Sequence, residues 1–176
     1  MRTNTAADGG SRMATALLMV STVLVGLMAG LFFAFDISVM PGLARGDDRT
    51  YVTAMQNINA VIDGNALFGA LFVVALLAAV ASAALELRRG QPGVAVWVWA
   101  AAVLYLVVLV ITFTVNIPLN NELADAGDAA RIADFSIVDR FENTWVATNI
   151  VRTLCCTAAL TALVRALVLY ERATTR

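Results

Sequence analysis

Four stretches of the chain are apolar at almost every position, running from about 13 to 35, 66 to 85, 94 to 115 and 145 to 169. A bilayer-crossing helix takes roughly 20 such residues. The pattern predicts an all-α fold, an integral membrane four-helix bundle at 13–170, with cytoplasmic tails at 1–12 and 171–176. The first stretch exceeds the 7–15 or so residues of a signal-peptide core and no clear small-residue cleavage site follows it, so a retained span is expected. Two longer polar loops alternate with one tight turn. In the first loop Tyr51, Met55, Ile58 and Ile62 recur at helical spacing, with Gln56, Asn59 and Asp63 on a different face. This predicts a short amphipathic helix over the bundle mouth. The loop from Pro118 to Asn143 is expected to hold another helical turn or two around 129–141. The two halves show no clear repeat.

Composition sharpens this picture. Of 176 residues, 60% are hydrophobic and 14% charged, against roughly 45–50% and 25% in soluble domains. Mean hydropathy is +0.80. All 12 basic residues are arginine, and histidine is absent. Catalytic arrangements built on histidine are thereby excluded, as are imidazole-ligated metals. No metal site and no cofactor is expected. A net charge of −1 gives no support for nucleic-acid binding. The only cysteines, Cys155 and Cys156, are adjacent and too strained to pair readily, so they are expected to be small packing residues. Arg2, Arg12, Arg88, Arg89, Arg165, Arg172 and Arg176 fall on the side of the termini and the tight turn. The loop side holds Arg45, Arg49, Arg131, Arg140 and Arg152 with ten of the 13 acids. The arginine bias predicts cytoplasmic termini and outward loops. Arg165 is near enough to the inner end to snorkel, and Trp97 and Trp99 read as an aromatic belt.

Small residues recur along span one at Thr22, Gly26, Gly30, Ala34 and Ser38. The Gly26/Gly30 face suits close helix packing, within the chain or in a homo-oligomer. Polar residues inside the spans carry more. Span three ends in Thr112, Thr114, Asn116, Asn120 and Asn121, and Pro118 is expected to kink or end that helix at Thr114. Trp145, Asn149, Arg152 and Cys156 form one stripe on span four. Arg152 lies about 10 Å below Trp145. A guanidinium at that depth costs roughly 2.5–3.5 kcal/mol and must find acceptors inside the bundle. Asn116, Asn120 and Asn149 offer oxygens, with Asp36, Asp63 and Glu142 at the same ends of the spans. They converge either as a structural polar plug or as a ligand or catalytic pocket.

These segments resemble a known family. Gly30 to Arg45 (GLFFAFDISVMPGLAR), Met55-Gln56-x-Ile58-Asn59, Thr114 to Leu123 (TVNIPLNNEL) and Trp145-x-x-x-Asn149-x-x-Arg152-Thr153 are similar, in order, to the signatures of the anthrone-oxygenase-like family of small four-span membrane proteins. The resemblance implies oxidation of anthrones or related phenolic aromatics by molecular oxygen without a cofactor, and a place in the bacterial cytoplasmic membrane among lipid. Such chemistry needs an oxyanion site and a base: Arg152 with Asn149 or Asn116 would serve as the first, and Asp36 or Asp63 as the second. Phe32, Phe33, Phe35 and Trp145 would supply aromatic walls, and Asn120, Gln56 and Asn59 would help hold the hydrophobic small molecule. The sequence departs from the family at three places. Ile150 stands where a histidine is common, Asn65-Ala66 where an Asn-Pro pair is common, and Asp36 where a serine-like residue is more usual. A non-catalytic membrane protein that binds a lipid or apolar ligand, or supports a partner complex, is the alternative.

Overall fold

The computed structural model describes residues 5–174; Arg2 and Arg176 of the orientation pattern lie outside the described residues. Those described are all-α and hold no strand. Four helices are long and apolar enough to cross a membrane. The first is α1 (Thr5–Ala34), which continues through a π-helical segment (Phe35–Val39) into α2 (Met40–Leu43). After α3 (Asp48–Asp63) comes the second span, α4 (Ala66–Arg88). The third is α5 (Pro92–Ile111), prolonged by a second π segment (Thr112–Asn116) and α6 (Ile117–Asp125). The fourth is α7 (Ser136–Thr174). Its 39 residues reach about 58 Å, well beyond a hydrocarbon core of roughly 30 Å. Its first turns therefore stand clear of the span.

Neighbouring helices pack around one long core, with Leu18, Val25, Ala75, Ala79, Val98, Val108, Ala159 and Leu163 all buried. Alanine dominates where helices approach, as expected when packing rather than water drives association. Gly26 belongs to this packing, since a Cβ there would sit 3.6 Å from Leu160 of α7. Gly30 would meet nothing within 4 Å. Near the short α4–α5 turn Glu86 is fully buried and paired with Arg89 at 2.9 Å, and Arg89 lies over the Tyr170 ring.

At the other end α2, α3, α6, a 3-10 turn (Ala129–Arg131) and the start of α7 form a hood with its own core of Met40, Tyr51, Val52, Met55, Leu123, Val138 and Phe141. Asp47 starts α3 by accepting the Thr50 N–H at 2.8 Å, and that bond holds its carboxyl below the usual range. Burial, with Glu142 nearby, raises the Tyr51 phenol well above its ordinary value, so it stays neutral. The amphipathic helix of the first loop is present, but its buried face is Tyr51, Val52, Met55 and Asn59. Asn59 therefore joins the inner face instead of lying opposite it. Ile58 and Ile62 are only half-buried at its flank.

The third span also differs from expectation. Pro118 does not end the helix at Thr114; it widens it. Proline has no N–H to give the Thr114 carbonyl. Ile117 N–H instead reaches back five residues to the Thr112 carbonyl, and the chain continues helical to Asp125. Pro41 sits in the same relation to the first π segment, where Met40 N–H reaches the Phe35 carbonyl. Both wide turns lie at the junction of bundle and hood.

Candidate functional site

The stripe on α7 is buried along its length: Trp145, Asn149, Arg152 and Cys156 are each at most 5% exposed. It faces the two π segments. Arg152 Nη2 donates to Asn149 Oδ1 at 2.8 Å, and Nη1 donates to Thr112 Oγ1 at 3.3 Å. The guanidinium carbon lies 4.5 Å from the centre of the Phe32 ring and 5.2 Å from that of Trp145. Aromatic faces attract cations most strongly where water is excluded. Asn149 Nδ2 donates to the Phe32 carbonyl at 2.9 Å and to Asp36 Oδ1. Thr153 Oγ1 donates to Asp36 Oδ2. Asp36 and Arg152 thus share Asn149 as an intermediary, and no direct ion pair joins them among the described residues. A carboxylate and a guanidinium are carried into the bundle together, bridged by a neutral amide.

Beside this network is a cavity of about 250 Å³. Its walls are mostly apolar and include six aromatic side chains, Phe32, Phe35, Phe68, Phe72, Phe113 and Trp145. Phe35 and Trp145 lie 5.4 Å apart, and Phe72 is braced edge-on by Phe32 and Tyr105. Its polar groups are Thr112, Asn116, Asn120 and Arg152 from spans three and four, with Asn59, Asp63 and Asn65 from the hood side. Three of these side chains keep a buried atom with no partner: Arg152 Nε, Asn116 Oδ1 and Asn59 Nδ2. Such atoms each cost roughly 1–3 kcal/mol when left unmade. All three belong to residues that line the cavity, but the atoms themselves are enclosed by protein.

Arg152, Asn116, Asn120, Trp145, Phe32, Phe35 and Asn59 all line the cavity. Asn120 Oδ1 accepts from the Trp145 indole at 3.0 Å and fixes that wall, while Asn116 Nδ2 donates to Thr148 Oγ1 at 2.9 Å. Asn149 and Asp36 stand behind the wall instead, where they hold Arg152 in place. Gln56 is elsewhere. Its amide donates to the carbonyls of Leu123 and Gly127, at 2.8 and 2.9 Å, and straps α3 to the end of α6. Phe33 faces outward and is 52% exposed, so it is no wall. Asp63 is the cavity's one lining carboxylate among the described residues; Glu142 does not reach it. Asn65 accepts the Phe68 N–H at 3.2 Å and starts α4.

Thr112, Thr153 and Phe72 join the site beyond the residues that the sequence marks. Thr153 adjoins Arg152 in the span-four motif, and Thr112 lies one turn before Asn116, so adjacency was the available signal for both. Nothing in the sequence marks Phe72 among eight phenylalanines. Among the described residues no group of His, Cys, Asp or Glu is arranged to hold a metal. Residues 59–162 match the sequence model of a family described as anthrone oxygenase. The match contains Asn59, Asn116, Trp145, Asn149 and Arg152; Phe32, Phe35 and Asp36 precede it. No curated protein and no solved structure matches the chain.

Proposed function

The chain belongs to the anthrone oxygenase family, and we propose that it is a membrane-embedded, cofactor-independent oxygenase for a compact anthrone- or phenol-type aromatic. One observation carries this reading: a buried guanidinium, incompletely paired, lies against flat aromatic rings at the wall of an apolar cavity that also meets a carboxylate. Asp63 is the base. It takes the acidic ring C–H proton of the anthrone, and Arg152 stabilises the enolate oxygen that results. The electron-rich enolate passes one electron to molecular oxygen, giving a ring radical and superoxide. These combine as a peroxide anion on the same carbon, which takes the proton back from Asp63; the carboxylate then removes the carbon's remaining proton as the O–O bond breaks and hydroxide departs with that proton as water. This loss of water leaves a carbonyl, so one dioxygen converts one CH2 to C=O and releases one water. Asp36 and Asn149 are positioning residues, since both act through Arg152. The arginine distribution supports a bacterial cytoplasmic membrane setting with both termini inside and the hood outside.

The test is oxygen uptake by the protein in nanodiscs across a panel of anthrones and hydroquinones. Stoichiometric quinone formation is expected, with Asp63→Asn slower by about a hundredfold, as for a lost general base. Saturable binding with no uptake across the panel would overturn catalysis and leave a carrier of apolar ligands, which the predominantly apolar lining also suits.

A further inference from the structure

Part of the cavity's lining is exposed on the flank of the bundle. Ala66 and Gly69, in the first turns of α4, supply one lip; Phe113 and Ile117 of the third span supply the other. Ala66 and Gly69 are exposed, and Phe113 is 54% exposed although it lines the cavity. Phe113 ends a row of outward-facing side chains, Val103, Leu106 and Val110, spaced at helical intervals along α5. That row is the surface that meets acyl chains. The second lip continues that apolar row.

Gly69 lines the cavity and is exposed at this edge. A small residue in a span usually lets another helix come close, and Gly26 against Leu160 is such a case. Gly69 is different: a Cβ built there meets nothing within 4 Å. We infer that the gap between Gly69 and Phe113 is a side portal through which a flat apolar substrate enters the cavity directly from the bilayer. The substrate class rests on the function proposed above; the portal itself is a matter of access. An aromatic dissolved in lipid would forfeit about 25 cal/mol for every Å² of apolar surface if it had to cross water first. A membrane-level opening avoids that step. The polar corner of Asn59, Asp63 and Asn65 adjoins the apolar lips, so a ring can enter with its oxygen-bearing edge turned toward the hood.

Rapid-mixing fluorescence tests this. The chain has three tryptophans, and a W97F/W99F background leaves only Trp145, in the cavity wall. With the protein in nanodiscs, 1-bromonaphthalene delivered from donor vesicles should quench Trp145 saturably. Gly69→Leu should slow that quenching by about tenfold or more, equivalent to roughly 1.4 kcal/mol in the barrier. Phe113→Ala, which removes the opposite lip, should speed it. Gly30→Leu, at an equally open glycine away from the cavity, should leave the rate unchanged. Rates that ignore both Gly69→Leu and Phe113→Ala overturn the portal while leaving the cavity's occupancy intact. Absence of saturable quenching in the background chain overturns the portal together with the ligand cavity on which the proposed function depends.

Discussion

Arg152 and Asp36 bear opposite charges inside the bundle and form no direct ion pair among the described residues; Asn149 bridges them, accepting from one and donating to the other. Removing either charge leaves its counterpart without compensation in a poorly solvated place. Arg152→Met and Asp36→Asn should each lower stability by about 1–3 kcal/mol, less than the roughly 3–5 kcal/mol for one partner of a direct buried pair. The double variant should cost less than the two together, by at least about 0.5 kcal/mol. Thermal unfolding of the four chains in detergent measures this, and strictly additive losses would break the proposed link through Asn149. Arg152→Lys separates support from chemistry. It retains the charge but loses the planar fork, so it should unfold near the parent temperature while oxygen uptake falls by about a hundredfold, as for a lost oxyanion donor.

The wide turns at Pro41 and Pro118 set which faces of spans one and three meet the stripe on α7. A π turn holds an extra residue, so everything beyond it is rotated by about 100° relative to a regular α-helix. In the third span this brings Asn116 to Thr148 and Asn120 to Trp145 while Tyr105 and Val108 remain in the lower core. Pro118→Ala restores the missing N–H and favours rewinding to α-helix, a local gain of up to about 3 kcal/mol in propensity. Opposing it are interhelical polar contacts worth roughly 0.6 kcal/mol each and the packing around them. The variant is expected to keep or raise its unfolding temperature and to lose the Asn120–Trp145 bond. A red shift of Trp145 emission in the W97F/W99F background is the readout. Unchanged emission would mean that packing against α7, not the proline, imposes the wide turn.

At the scale of the whole molecule the hood and the cavity share one end, and most acids lie there too. The opposite end has the compact α4–α5 turn with Arg88 and Arg89. Short loops rich in arginine stay cytoplasmic. A reporter fused after Arg176 should therefore be active only in a cytoplasmic form, and one inserted at Gly127 only in an exported form. An exported C-terminus would put the cavity mouth at the cytoplasmic leaflet. Gly127 suits the insertion, lying exposed in the hood with φ +77°, a conformation favouring glycine.

The sequence by itself determined the four spans, the hood helix over 48–63 and the burial of Trp145, Asn149 and Arg152 on one stripe. Each follows from hydropathy or from the 3.6-residue period, and both are local properties of a helix. It also brought the polar ends of spans three and four to one level, because alternating spans return to the same side of the bilayer. Only the tertiary structure decided the rest. Whether Phe32 or Phe33 faces inward depends on the rotation of α1 against its neighbours. That Asp36 supports Arg152 from behind while Asp63 meets the cavity depends on the wide turn after Ala34 and the path of the hood. Gln56 became a strap because the carbonyls of Leu123 and Gly127 come within reach of its amide. That Gly69 lines the cavity depends on how α4 packs beside the third span, and a cavity between helices leaves no periodic trace in the residues that border it.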